Sequence, residues 1–352
     1  MSKNDSVQDF SEAQDRARKE TQGLQARIRL LTAERDKLGS QLGLIESLDE
    51  ARPQVPRWLA PKAPAKGNRA TLCLLLTDTH FDEVVDPAEI HGINAYNREI
   101  AEMRLERCFR SVVKLARHYL AGVQYDGVCL MLGGDIFSGN IHEELQRTNA
   151  DTLFGSLIYW LGPMRAGIEL LAKEFGRVHV SGVPGNHGRM TRKPIMKQRA
   201  ADNLDWLFYR LLQRDMRQDD RITWAIPYAP SVHVKVYSTA YFMEHGDNFQ
   251  GGSGISGALA PLMLGTHRTG KQQTAAGMPY DYLVLGHWHQ HIFLAEQGLI
   301  VGSTLKGFDE FAQNRIKAVP APASQALWIT TPEHGIGWST RVLVQNRKAE
   351  GW

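Results

Sequence analysis

Five short apolar runs, each closing on side chains able to hold a metal, constrain this chain more than any other feature. TLCLLLT runs into Asp78-Thr79-His80, GVCLMLGG into Gly134-Asp135, and RVHVSGV into Gly185-Asn186-His187-Gly188. TAYFME then delivers His245-Gly246-Asp247, and DYLVLG delivers Gly286-His287-Trp288-His289. Apolar runs of this length bounded by glycine read as buried strands. One histidine after a strand is ordinarily a structural or loop residue. Five such endings in one chain point elsewhere, because open α/β sheets place their ligand sites at the carboxyl ends of strands.

Helical patterns separate the first runs. Residues 98 to 120 repeat apolar side chains through Ile100, Met103, Leu105, Phe109, Val112, Leu115 and Tyr119. Residues 150 to 175 predict one or two helices around a Gly162-Pro163 break, and another helix is expected over roughly 200 to 215. Beyond that the pattern is β: VHVKVYS, TAYFME, DYLVLG, HIFLAE, GLIVGS, LWITT and STRVLVQ. The expected fold is therefore α/β, a two-sheet β-sandwich flanked by helices. A chain of 352 residues, 43% hydrophobic, is long enough to bury one large core with appendages.

Composition sets the boundaries of those appendages. Residues 1–50 are charged, and Leu24, Ile28, Leu31, Leu38, Leu42 and Ile45 follow heptad spacing with Arg35 filling one seam position. This predicts a helical or coiled-coil extension, either self-associating into a homo-oligomer or lying on the protein's own core; Gly39 and Gly43 weaken a long coil. Residues 51–70, rich in Pro, Ala and basic side chains, read as a linker, and residues 71–345 as the main domain. No apolar run approaches the roughly 20 residues that cross a bilayer. Cys73, Cys108 and Cys129 all sit in apolar stretches, as buried thiols of a reducing compartment do, so no membrane partner and a cytoplasmic location are expected.

The residue types at the strand ends suit one chemistry. Carboxylates, imidazoles and an amide oxygen are hard or borderline ligands for Mn, Fe, Zn or Mg, and no thiolate is among them. On an extended chain, residues two apart face the same side, so Asp78 with His80, and His287 with His289, are each expected to reach one place. The glycines before Asp135, Asn186 and His287 permit tight turns and close approach of backbone to a metal or phosphate.

The ordered set DTH, GGD, GNHG, HGD and GHWH resembles the calcineurin-like metallophosphoesterase superfamily over roughly residues 71 to 310. That resemblance implies a two-metal centre, with Mn²⁺ the expected ion and Fe, Zn or Mg the alternatives. One metal would take Asp78, His80, Asp135 and His289, the other Asp135, Asn186, His245 and His287, with Asp135 as the bridge. It further implies that a hydroxide held between the cations attacks phosphorus, while His187, not itself a ligand, protonates the leaving oxygen.

Departures from the family's patterns bear on the substrate. GGDIFSGN lacks the Asp-Arg-Gly continuation of protein serine/threonine phosphatases. GGDIF is similar to the second motif of double-strand-break repair exonucleases, but Ser138 stands where those often carry histidine, leaving Asn140 or His142 to reach that spot. Gly188 replaces the acidic residue that usually follows the GNH histidine, a loss that bears on how His187 is oriented. Directly after that loop come Arg189, Arg192, Lys193, Lys197 and Arg199, either a solvated helix start or a contact to a phosphate backbone. GGSGISG, residues 251 to 257, reads as a loop or lid. The function expected is a phosphodiesterase or nuclease acting on DNA, with Arg189, Arg192, Lys193, Asn140 and His142 binding substrate. The alternatives are a phosphomonoesterase or small-nucleotide phosphodiesterase, and a catalytically weakened scaffold. The remaining histidines, His91, His118, His179, His233, His267 and His291, read as structural or surface residues.

Overall fold

A computed structural model describes residues 18–19, 21–37, 39, 59, 67–249 and 259–352. The chain forms two compact units, Met1–Arg52 and Pro53–Trp352. In the first, residues 21–37 are helical and solvent-exposed, Leu24, Ile28 and Leu31 included. Leu38, Leu42 and Ile45, and the glycine-rich segment 251–257, lie outside the described residues.

In the second unit the apolar runs pair into two sheets. The six-stranded sheet is built from β1 (Arg69–Leu76), β2 (Gln124–Leu132), β3 (Val178–Gly182), β4 (Ile222–Ala225), β10 (Ser324–Thr331) and β11 (Gly335–Leu343). Its order is β11-β10-β1-β2-β3-β4. The strands from β1 to β4 run parallel, while β10 and β11 are antiparallel. The five-stranded sheet holds β5 (Ser231–Val236), β6 (Thr239–Glu244), β7 (Tyr282–Leu285), β8 (Ile292–Leu294) and β9 (Leu299–Val301), in the order β5-β6-β7-β9-β8.

Alternation along the strands sorts the core into layers. Cys73, Leu75, Cys129, Met131 and Trp328 face Val234, Tyr241, Met243, Val284 and Ile300 in one cluster between the sheets. Leu72, Leu74, Leu76, Val128, Leu130 and Leu132 are equally buried but lie outside that cluster, as residues of the opposite face do. The helices α1 (Arg98–Lys114) and α3 (Leu153–Phe175) pack together and against the six-stranded sheet. Phe242, Leu283, Leu285, Leu299 and Val301 form a second cluster on the other sheet with Leu262 of α5 (Leu259–Ala275). No helix among the described residues is long and apolar enough to cross a membrane.

The expected break at Gly162-Pro163 does not occur: α3 is one helix with Pro163 inside it. Its face of Leu157, Trp160, Met164, Ile168 and Leu171 stays buried across the proline, so burial outweighs the one backbone hydrogen bond proline cannot make. The close approach of α1 and α3 requires Gly167, where a Cβ would meet Phe109 Cε2 at 2.2 Å.

Strand β4, helix α5 and the short helix α2 (Glu143–Thr148) were not expected from the pattern. All three are short or weakly periodic. Ahead of β1, Leu59 is fully buried and its carbonyl accepts from Tyr237 N at 2.8 Å.

Candidate metal centre

The loops after β1 and β2 continue the pairing of their strands. Asp78 N donates to Gly134 O at 3.0 Å, His80 N to Asp135 O at 3.1 Å, and Phe81 N to Ile136 O at 2.8 Å. The backbone there is not extended, however. Asp78, His80, Asp135, His287 and His289 have φ of 51°, 46°, 50°, 66° and 52°. Left-handed backbone costs a non-glycine residue ~1–3 kcal/mol and persists where the surroundings over-determine it, commonly at functional sites. Asp78 and His80 do reach one place, as expected, but these side chains are aimed by left-handed turns rather than by strand alternation. His287 and His289 separate as a result, and each joins a different group.

One group is Asp78, His80 and His289, and another is Asp135, His245 and His287; within each, ligand atoms lie within 4.8 Å of one another. His80, Asp135 and His187 form a third group by the same measure. Asn186 Oδ1 comes within 3.1 Å of His245 Nε2, which is 3.0 Å from Asp135 Oδ2. In the first group His289 Nε2 is 3.3 Å from Asp78 Oδ1 and 3.1 Å from His80 Nε2. Asp78, His80, Asp135 and His245 are all essentially buried.

The nitrogen facing inward carries a lone pair wherever the ring's other nitrogen holds the proton. His245 Nδ1 donates to Gly133 O at 2.8 Å, so in the neutral ring Nε2 points an unshared pair at two oxygens. Mutually facing acceptors repel unless a cation sits among them, and this donor set fits a divalent one. Charges agree with that reading. Burial works to raise the Asp135 carboxyl, yet His245, His187 and His80 hold it well below the usual carboxylate range. Burial works to lower His245, but the Asp135 carboxylate raises it to about 10, so without a cation a proton takes that place. Burial likewise depresses His80 to about 4 and His287 to about 4, leaving both neutral at pH 7, as ligation requires.

His187 is held from two sides. Its backbone N–H donates to Asp135 Oδ1 at 2.7 Å, and its Nδ1 donates to Ser138 O at 2.7 Å, which leaves Nε2 free. Its ring lies 4.6 Å from that of His80 and 5.9 Å from that of His142, both edge-on. His142 thus stands near His187, although Ser138 replaces the histidine expected three residues after Asp135. Asn140 is exposed.

Sequence reasoning missed the residue that ties these loops together. Asp205, fully buried in the first turn of α4 (Leu204–Asp215), accepts from Asp135 N at 2.9 Å, Gly185 N at 2.9 Å and Ile136 N at 3.2 Å. Burial, and then the charge of Asp135, push its carboxyl up to about 7. The helix N-cap Asn203 adds Nδ2 to Gly185 O at 2.8 Å and accepts from Asp205 N. A Cβ at Gly188 would meet Asn203 Oδ1 at 2.4 Å and Asp205 Cγ at 3.0 Å. An acidic side chain therefore has no room at 188, and a carboxyl group reaches the loops from α4 instead. The only sequence signal was a capping asparagine; nothing in the hydrophobic pattern marks Asp205 as buried.

The basic segment has a more local role than its charge implied. Arg189 donates to Asn186 O at 2.9 Å, Thr191 O at 3.0 Å and Arg192 O at 3.2 Å, so it folds its own loop. Arg199 pairs with Asp247. Arg192 and Lys193 are exposed and, with Arg189, His142, Glu143 and Glu144, line an open cleft of about 490 Å³. Arg192 lies 3.5 Å from Glu143 across it.

No family model matches the sequence, and no curated protein does. Among solved structures, one match is the Thermus thermophilus sulfate thiohydrolase SoxB in complex with glycerol, at 11% identity and a TM-score of 0.29. The alignment covers 80% of this chain and 57% of that chain.

Proposed function

We propose that the chain is a metal-dependent phosphoesterase of the calcineurin-like type, acting as a phosphodiesterase on nucleic acid. The observation that carries the reading is the convergence of buried acceptors, with His245 Nε2 facing Asp135 Oδ2 and Asn186 Oδ1, beside a second group of Asp78, His80 and His289. Asp78, His80, Asp135 and His289 would hold one cation, and Asp135, Asn186, His245 and His287 the other. Two divalent cations, Mn²⁺ being our choice, would supply an activated water and neutralise phosphate oxygens.

The chain's own residues do the rest. His187 is oriented by Ser138 O with Nε2 free, so once protonated there it donates to the leaving oxygen, a contribution typically worth ~10²–10⁴ in rate. His142 stands beside it and lines a cleft with Arg192 and Lys193, where the ester's substituents would bind. Glu143 and Glu144 share that cleft and favour a second reading, a small-nucleotide phosphodiesterase or phosphomonoesterase, because carboxylates repel a long polyanion.

Hydrolysis of bis-p-nitrophenyl phosphate on addition of Mn²⁺ tests the chemistry. Asp135→Asn is expected to lose most of that activity and at least one bound metal, since it removes the charge shared between two cations. A variant that keeps two metals and near-normal turnover overturns the assignment. For the substrate, Arg192→Gln with Lys193→Gln is expected to weaken DNA binding and to reduce its salt slope by roughly one unit per lost phosphate contact, with the aryl diester unaffected. Absence of any polynucleotide binding at low salt favours the small-substrate reading.

A further inference from the structure

Behind the Asp78, His80 and His289 group lies a buried set of charges to which the proposed chemistry gives no role. Lys306, 3% exposed, donates to Glu83 Oε1 at 2.7 Å and also pairs with Asp309. Glu83 and Asp309 are themselves buried, at 7% and 5% exposure. The same segment is fastened to the first ligand loop, for Thr304 Oγ1 donates to Asp78 O at 2.7 Å and Leu305 N to the same carbonyl at 3.1 Å. Taking three ions out of water costs several kcal/mol per ion before their mutual attraction offsets it.

The second oxygen of Glu83 shows what the set faces. Oε2 lies 3.3 Å from His80 Nδ1, and both atoms are buried with no hydrogen-bond partner, so each is the nearest group that can satisfy the other. The other ring nitrogen, Nε2, is the one turned toward His289 and Asp78. A carboxylate can only accept, and Lys306 keeps this one ionised, so the proton of a neutral His80 belongs on Nδ1. That leaves the Nε2 lone pair for a cation.

We propose that Glu83, braced by Lys306 and Asp309, is a positioning residue that fixes the tautomer and ring orientation of His80 and so completes one half of the metal centre. The inference rests on the metal-centre reading above. A carboxylate behind a ligating histidine is the common way to fix which nitrogen binds, and losing it typically lowers metal affinity ~10–100-fold.

Glu83→Gln tests the proposal without a large change of volume. Lys306 will hold the amide oxygen, which turns the amide N–H₂ toward His80 Nδ1 and favours the opposite tautomer. Histidine ¹⁵N NMR of the metal-free protein is expected to show His80 protonated on Nδ1 in the wild type and on Nε2 in the variant. Mn²⁺ titration calorimetry is expected to show one site weakened ~10–100-fold. An unchanged tautomer, or unchanged Mn²⁺ affinity at both sites, overturns the proposal while leaving the metal centre standing. A wild-type protein that binds no Mn²⁺ overturns the metal-centre reading and this inference with it. If Glu83→Gln does not fold, Glu83→Gln with Lys306→Met and Asp309→Asn removes all three charges together, and the same affinity comparison decides.

Discussion

His187 illustrates how a single side chain is fixed for a task by contacts that leave its working atom free. Its backbone N–H and its Nδ1 are both committed, to Asp135 Oδ1 and Ser138 O, and Nε2 is left toward the site. Gly139 belongs to the same arrangement: with φ of +71°, it brings the backbone so close that a Cβ would stand 2.0 Å from His187 O. Replacing His187 by alanine removes the proposed proton donor and no member of the proposed ligand sets. The expected outcome is unchanged metal content and slowing of esters with poor leaving groups by ~10²–10⁴, with activated aryl esters far less affected. Steady-state rates across a series of leaving-group pKa values measure this. Equal slowing of all esters would mean that His187 positions substrate instead of donating a proton.

At the scale of elements, the site is an agreement among strand ends enforced by one helix start. Helix α4 turns the carboxylate of Asp205 toward three backbone N–H groups of two loops, and the capping Asn203 binds the second loop from the other side. In Asp205→Asn an amide N–H₂ must face a backbone N–H whichever way the side chain rotates. Leaving a buried backbone donor unsatisfied costs ~1–3 kcal/mol, so a loss of that order is expected with weakened Mn²⁺ binding. Thermal unfolding of the metal-free variant together with calorimetry checks both. Wild-type behaviour in both measurements would show that α4 does not hold the loops. Asp205 also explains why Gly188 stands where the family pattern carries an acid: the space is already occupied.

For the whole molecule, the second unit carries every group of the candidate centre, and the first carries exposed Leu24, Ile28 and Leu31 at heptad spacing. Exposed apolar side chains in that register are what a self-associating helix presents. Deleting residues 1–52 is expected to leave a folded, metal-binding protein of smaller solution mass, as measured by light scattering. An unchanged mass would remove self-association through this segment. Deletion beyond Leu59 is expected to cost more, because that side chain is part of the core between the sheets.

What the sequence determined by itself was most of the strands, β4 excepted, and the chemical character of their ends. Period-two burial and short apolar runs are local properties, so β1, β2, β3, β6 and β7, and the Asp, His and Asn residues after them, were legible from order alone. Tertiary structure decided how those residues are aimed and what supports them. Asp78 and His80 converge through left-handed turns, and His287 and His289 go to separate groups, because loops from both sheets meet there and fix the backbone. No motif or hydrophobic pattern in the sequence singles out Asp205, Glu83, Lys306 or Asp309. They are buried only because segments far apart in the chain close over them, and no local pattern records a partner 223 residues away, the separation of Lys306 from Glu83.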